Sequence, residues 1–371
     1  MRDILAWVLT VELLGLAVLP LLRAFFDNRR DAALLSRPMG LAIVAGLAWA
    51  FTLRGLPFER LLVNICVVLV AVGSILVHRK IRERFPSPFW GPEEKQATLL
   101  FWASAAVFLA VRASWPEILG QEKFMDLAFL NSLTRNTNMP PVDPWAAGLT
   151  INYYYWGYLL IAAATKLAAT VALLPGSFAG ISVLLSYNLA LATLAGYSFV
   201  AAACLGMRLS RGRLPVAIGA GATTVFAGNL AGALDGWGYF LGRGFDYFHA
   251  SRVIGAGDTI NEFPFFTFFQ ADLHPHLLGF PYFIAAFAVG HRFLVREPGP
   301  GGGFWRRWSP AFFFAFTAGT AIAANLWTIP AIGILIVAVC GLRATRGREI
   351  PPLSQAVRGL AGGAVLLLVS Y

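Results

Sequence analysis

Four residues in one short run could hold an ion or move a proton. The stretch NEFPFFTFFQADLHPHLLGFPYF (261–283) sets Glu262, Asp272, His274 and His276 among phenylalanines. Burying an acid or an imidazole alone is expensive, so such residues must be partnered or put to use. Asp272, His274 and His276 form a mixed oxygen and nitrogen donor set suited to a divalent ion such as Mg or Mn. Pro275 keeps His274 out of the helical region, and an extended loop lets an H-x-H pair converge. The plainer alternative is a set of helix caps and interfacial anchors.

A second run, GQEKFMDLAFLNSLTRNTNMPPVDPW (120–145), offers Glu122 and Asp126. Four residues apart, they share a face if the segment is helical. Pairing of Glu122 with Lys123 or Arg135 is the ordinary reading. Prolines at 140, 141 and 144 then fix an extended path. Arg243 and Arg252 are the only cations in the loop 233–272 that leads into the histidine run. Each is either a salt-bridge partner or a clamp for a phosphate, and both readings stay open. The glycine-rich GNLAGALDGWGYF (228–240) lacks the spacing of a nucleotide loop and is read as packing and turns.

The elements that must position these residues are membrane helices. Of 371 residues 58% are hydrophobic and 13% charged, and mean hydropathy is +0.67. A soluble domain carries about 25% charged residues. Apolar runs near 4–22, 39–53, 61–77, 97–112, 179–206, 214–232, 275–291, 309–325 and 327–342, with one more from 359, predict an all-α polytopic protein of about ten spans. The last run breaks off at Tyr371, which points to a longer protein. The net charge of +10 is spread between apolar runs, unlike the basic face of a nucleic-acid reader, so no nucleic acid is expected. Cys66, Cys204 and Cys340 lie inside apolar runs and read as buried thiols.

Loops 23–37, 78–96, 207–213, 292–308 and 343–358 are rich in arginine and lysine and are predicted to be cytoplasmic. Loops 113–150 and 233–272 are acidic and are predicted to lie outside. The stretch between 113–150 and 207–213 then needs an odd number of crossings, yet two apolar runs lie there. The simplest repair makes 151–173 a helix at the outer interface. Tyr153, Tyr154, Tyr155, Trp156 and Tyr158 would form an aromatic collar at its start, and Lys166 suits that position. The chain divides into N-terminal helices (1–96), a membrane core (97–342) and the start of a further helical region (343–371).

YYYWG (153–157), PPVDPW (140–145), INEFPFF (260–266) and DLHPH (272–276) resemble the YYY membrane protein family of archaea and Chloroflexi, over roughly 97–330. That likeness implies membrane placement and brings no activity with it. The layout also resembles the GT-C glycosyltransferases: an acidic outer loop, a proline-rich step, then aromatics leading into an apolar helix. That second resemblance implies a plasma-membrane enzyme taking sugar from a polyprenyl-phosphate donor among membrane lipids. Asp126, with Glu122 next, would be the catalytic acid residue. Arg243, Arg252, Tyr153, Tyr154, Tyr155, Trp156 and Glu262 would bind donor and lipid phosphate. Asp272, His274 and His276 would hold a metal. The adjacent acid pair of that superfamily is missing, since Leu127 follows Asp126. A transporter or lipid-handling protein without covalent chemistry is the alternative.

Overall fold

A computed structural model describes residues 1–26, 28–82, 89–172, 181–229, 241–244, 248–252, 260–295 and 304–345, with isolated positions between 230 and 260. The helices are α1 (Arg2–Phe25), α2 (Arg29–Thr52), α3 (Arg60–Arg82), α4 (Pro92–Ser114), α5 (Lys123–Arg135), α6 (Trp156–Ala172), α7 (Val183–Leu209), α8 (Leu214–Phe226), α9 (Pro264–Gln270), α10 (Pro275–Val295), α11 (Phe304–Ala324) and α12 (Ile329–Thr345). Among the described residues the one β feature is an isolated bridge, Val142 to Thr150.

Seven of these helices are long and apolar enough to cross a membrane, counting the short turn before α12 with it; α6, α8 and the apolar part of α11 are shorter. The expected ten is therefore not reached, and the run from 359 lies outside the described residues. Leucines and valines along the outer flanks of α1 and α3 stay exposed, such as Leu5, Leu9, Leu61 and Val68. Lipid is the solvent that such a surface fits.

Two ends of the bundle can be told apart. At one, Glu94 accepts from Arg23 Nη2 (2.6 Å) and Arg29 Nη2 (2.7 Å), and its own helix start at Gly91 N (2.8 Å). Arg208 pairs with Asp31 (2.5 Å), and Arg292 reaches Phe25 O (3.3 Å). All these arginines come from the basic loops, which therefore meet at one end. Many are not loop residues, however. α2 begins at Arg29 rather than near 39, and α4 at Pro92 rather than near 97. Arg37 lies within α2 and grips Glu12 of α1 through two bonds (2.9 and 2.7 Å), with Trp102 Nε1 as a third donor (2.6 Å). Partners inside the bundle let these polar residues extend the helices beyond their apolar runs.

The other end gathers the loop 53–59, α5, α9 and the starts of α7 and α10. There α6 settles the topological conflict. Its start touches the last turn of α2, where Trp49 Nε1 donates to Tyr155 OH (3.2 Å). Its far end touches the early turns of α3, where Asn64 Nδ2 meets Thr170 Oγ1 (3.1 Å). Lys166 Nζ bonds Thr134 O (2.6 Å), and Thr137 O accepts from Phe58 N (2.6 Å). The start of α7 lies at the same end, since Tyr187 bonds Ala271 O. So α6 does not change sides, as expected. It is nonetheless no surface helix: residues 157–169 are all buried. A helix apolar all round demands protein on every face.

Candidate functional site

Why does Asp126 stand where it does? It lies one turn into α5, fully buried against the start of α6. Tyr158 OH donates to Asp126 Oδ1 (2.5 Å), and His274 Nδ1 lies 3.2 Å from the same oxygen. The two acidic loops thus meet, joining residues 148 apart in the chain. His274 Nε2 sits 3.2 Å from both Tyr153 OH and Glu122 Oε2. Glu122 is largely exposed and forms the rim.

Asp272 lies between two groups of donors. Single atoms of Asp126, Asp272 and His274 lie within 4.8 Å of one another, and so do atoms of Glu262, Asp272 and His276. His276 Nε2 is 3.3 Å from Glu262 Oε2, which also accepts from Thr267 (3.3 Å). Tyr187 OH fixes the backbone here, donating to Ala271 O (3.2 Å) and accepting from Leu273 N (3.1 Å). Ala271, at φ 62, ends α9 in the left-handed region and turns the chain toward Asp272.

Burial and the neighbouring Asp126 charge push the Asp272 carboxyl up to about 8. Burial lowers His274, but the Asp126 carboxylate and its neighbours outweigh that and hold it above the ordinary imidazole value. The His276 bond holds Glu262 below the usual carboxylate range, against burial. Asp126 Oδ2 and Asp272 Oδ1 are buried without a hydrogen-bond partner. Unsatisfied carboxylate oxygens beside imidazoles fit a divalent cation, and the mixed donor set suits Mn better than Mg. Asp272 with Glu262 and His276 would hold it, leaving Asp126 Oδ2 open. Such an ion would supply positive charge for a departing anion.

The aromatic run is half-buried rather than a wet collar. Tyr153 stacks on Phe129 (5.5 Å) and Tyr154 (4.2 Å), and Trp156 meets Trp49 edge-on (5.6 Å). With α11 these rings line a cavity of about 380 Å³. Gly157 explains the glycine that closes YYYWG: a Cβ there would sit 2.6 Å from Leu278 Cβ, so only glycine lets α6 meet α10 beside His274.

Arg243 and Arg252 are not brought to the acids. Arg243 is exposed, and Arg252 bonds its neighbour Ser251 and lies over Phe248. Neither pairs with a site carboxylate among the described residues. Sequence reasoning counts Tyr158 in the aromatic collar but misses its bond to Asp126, and it misses Tyr187 and Arg112. Arg112 closes an apolar run on the acidic side of the membrane, and that position was the available signal. Glu12, Asp31 and Glu94 all lie within membrane-length helices, and all three are paired with arginines.

A helical bundle with seven membrane-length helices and buried acids and histidines at one end defines a polytopic membrane protein. The chain belongs to a family described as Uncharacterized membrane protein (DUF2298), which matches residues 43–371. The match reaches beyond 97–330 at both ends. No curated protein and no solved structure is significantly similar to it.

Proposed function

We propose that the protein is a membrane-embedded glycosyltransferase that takes sugar from a polyprenyl-phosphate donor at the outer face of the plasma membrane. One observation carries the reading: Asp126 and His274 of two distant acidic loops meet at 3.2 Å over a second buried carboxyl. That second carboxyl, Asp272, is pushed up by burial and by the Asp126 charge, the kind of tuning that active-site acids show. The basic loops at the opposite end favour an outward-facing site. The short helices α5 and α6, packed at the site end without crossing, support the GT-C-like layout.

In this reading the acceptor hydroxyl attacks the anomeric carbon and the bond from that carbon to the phosphate oxygen breaks. The hydroxyl proton passes to Asp126 Oδ2, the oxygen left free, while Tyr158 and His274 hold Oδ1. His274, itself oriented by Tyr153 and Glu122, steadies the charge of Asp126. The lipid phosphate leaves as the anion.

A transporter would need an unpaired acid within the crossing helices. Glu12, Asp31 and Glu94 are instead bound to arginines. The test is Asp126→Asn in cells, with envelope glycan and protein level measured together. Loss of glycan at normal protein level is expected. Unchanged glycan with altered solute flux overturns the reading in favour of transport.

A further inference from the structure

Beside the acids lies a second, larger cavity of about 740 Å³, between the end of α4, the start of α5 and the end of α9. Its walls are mainly apolar, with Ala110, Trp115, Leu119 and Phe269 among them. Two cations face it: Arg112, 5% exposed, and Lys123, 7% exposed. Arg112 is oriented by Asn188 Oδ1 (2.8 Å) and by the backbone oxygen Glu117 O (2.9 Å); the Glu117 carboxylate, also in the cavity wall, offsets part of its charge but forms no ion pair with it among the described residues. Lys123 makes no hydrogen bond and no ion pair among the described residues. Burial and Arg112 hold its ammonium below the ordinary lysine value, against the pull of the Asp272 charge. Two cations set side by side at the foot of an apolar cavity favour an anion between them.

The approach to the cavity is as telling as its floor. On α4, Leu99, Ala103, Val107, Ala110 and Ser114 are exposed at spacings of three and four residues. They form one stripe along a crossing helix and end at the cavity. An apolar track ending at two cations has the shape and charge of an amphiphile with a long chain and an anionic head. The site acids stand next to that head: Lys123 precedes Asp126 by one turn of α5, and Gln270, in the cavity wall, precedes Asp272 by two residues.

We infer that this cavity is a lipid-phosphate site, with Arg112 and Lys123 binding the phosphate and the α4 stripe bearing the chain. Arg supplies a planar fork and Lys a point charge, a pairing that suits phosphate oxygens. The inference rests on the sugar-transfer reading for its place in a reaction and gives the donor phosphate the seat sought at Arg243 and Arg252.

Binding alone tests it. The full chain in detergent is titrated with a long-chain polyprenyl monophosphate, the matching polyprenol and inorganic phosphate, following tryptophan emission, since Trp115 lines the cavity. The lipid phosphate is expected to bind at least about tenfold tighter than the alcohol, and Lys123→Gln to remove about that factor, roughly 1.4 kcal/mol. Lys123→Arg should keep most of it. Ala110→Trp, at an exposed position, should weaken both lipids by filling the cavity. Equal binding of phosphate and alcohol, an unaffected Lys123→Gln, or inorganic phosphate competing as well as the lipid overturns the inference. If Lys123→Gln fails to fold, the phosphate-to-alcohol ratio and Ala110→Trp still decide. Lipid-phosphate binding through Lys123 with glycans untouched by Asp126→Asn would end the transferase reading and keep this one. Transfer that survives without the binding difference does the reverse.

Discussion

The two ends of the bundle hold similar residues and treat them oppositely. At the arginine end each buried acid among the described residues meets a guanidinium: Glu94 meets two, and Asp31 meets Arg208 through one oxygen while the other has no hydrogen-bond partner. At the other end Asp126 and Asp272 each keep a carboxylate oxygen without a partner and meet no guanidinium, and Lys123 forms no ion pair among the described residues. A charge matched by its own chain is spent on holding the fold. A charge left open is held ready for a ligand, and the surrounding structure bears the cost.

Substitutions that cross this divide should separate activity from stability. The largest effect is expected from Asp126→Asn, which should cut sugar transfer by about 10²–10⁴-fold, the range of general-base catalysis, with thermal stability kept or raised. Glu94→Ala should do the opposite. Removing one partner of a buried ion network costs about 3–5 kcal/mol, read as a lower unfolding temperature in detergent, while any protein that folds stays active. Saturating Mn should stabilise the wild type by about 2.7 kcal/mol at a hundredfold excess over Kd, and Asp272→Asn should abolish that gain. No shift on Mn addition would remove the metal from the site.

Smaller effects sharpen the contrast. Gly157→Ala should cost about 1–3 kcal/mol through overpacking against Leu278, and it should also lower transfer by moving His274 away from Tyr153. A neutral Gly157→Ala would refute that close approach. A further effect is one of pH. In ion-free protein Asp272 holds a proton up to about 8 that the unfolded chain releases near the ordinary carboxyl value. The folded state therefore binds the extra proton, and stability falls as pH rises from about 4 to about 8. His274, raised as well, adds stability that is present at low pH and lost as pH rises through its folded value. Asp272→Asn should flatten the slope of unfolding temperature against pH.

Much of this contrast was legible in the sequence. The acids and histidines stood out because they interrupt a phenylalanine-rich run, and the parity of crossings made a 151–173 helix that stays on one side the simpler of two readings, the other being that it spans and 207–213 breaks the charge bias. The helix starts were misplaced because Arg29, Arg37 and Glu94 look like loop charges. Only three-dimensional pairing shows that Arg29 meets Glu94 and Arg37 meets Glu12 within the bundle. Arg243 and Arg252 were singled out as the only cations in their loop. Arg112, in the last turn of α4, and Lys123, in the other loop, are the cations that face the cavity beside the acids. Local spacing reports which residues share a turn, whereas the meeting of α4, α5 and α9 depends on contacts far apart in the chain.

The buried course of α6 bears on how the protein is made. A greasy segment that begins and finishes on one face cannot be laid down as an ordinary stop in the bilayer. The crossing helices on either side must first be threaded, and α6 must then slot into the gap they leave, as in two-stage assembly. Tyr153 and Tyr158 travel with that plug, so the constellation around Asp126 is complete only once this last piece has docked.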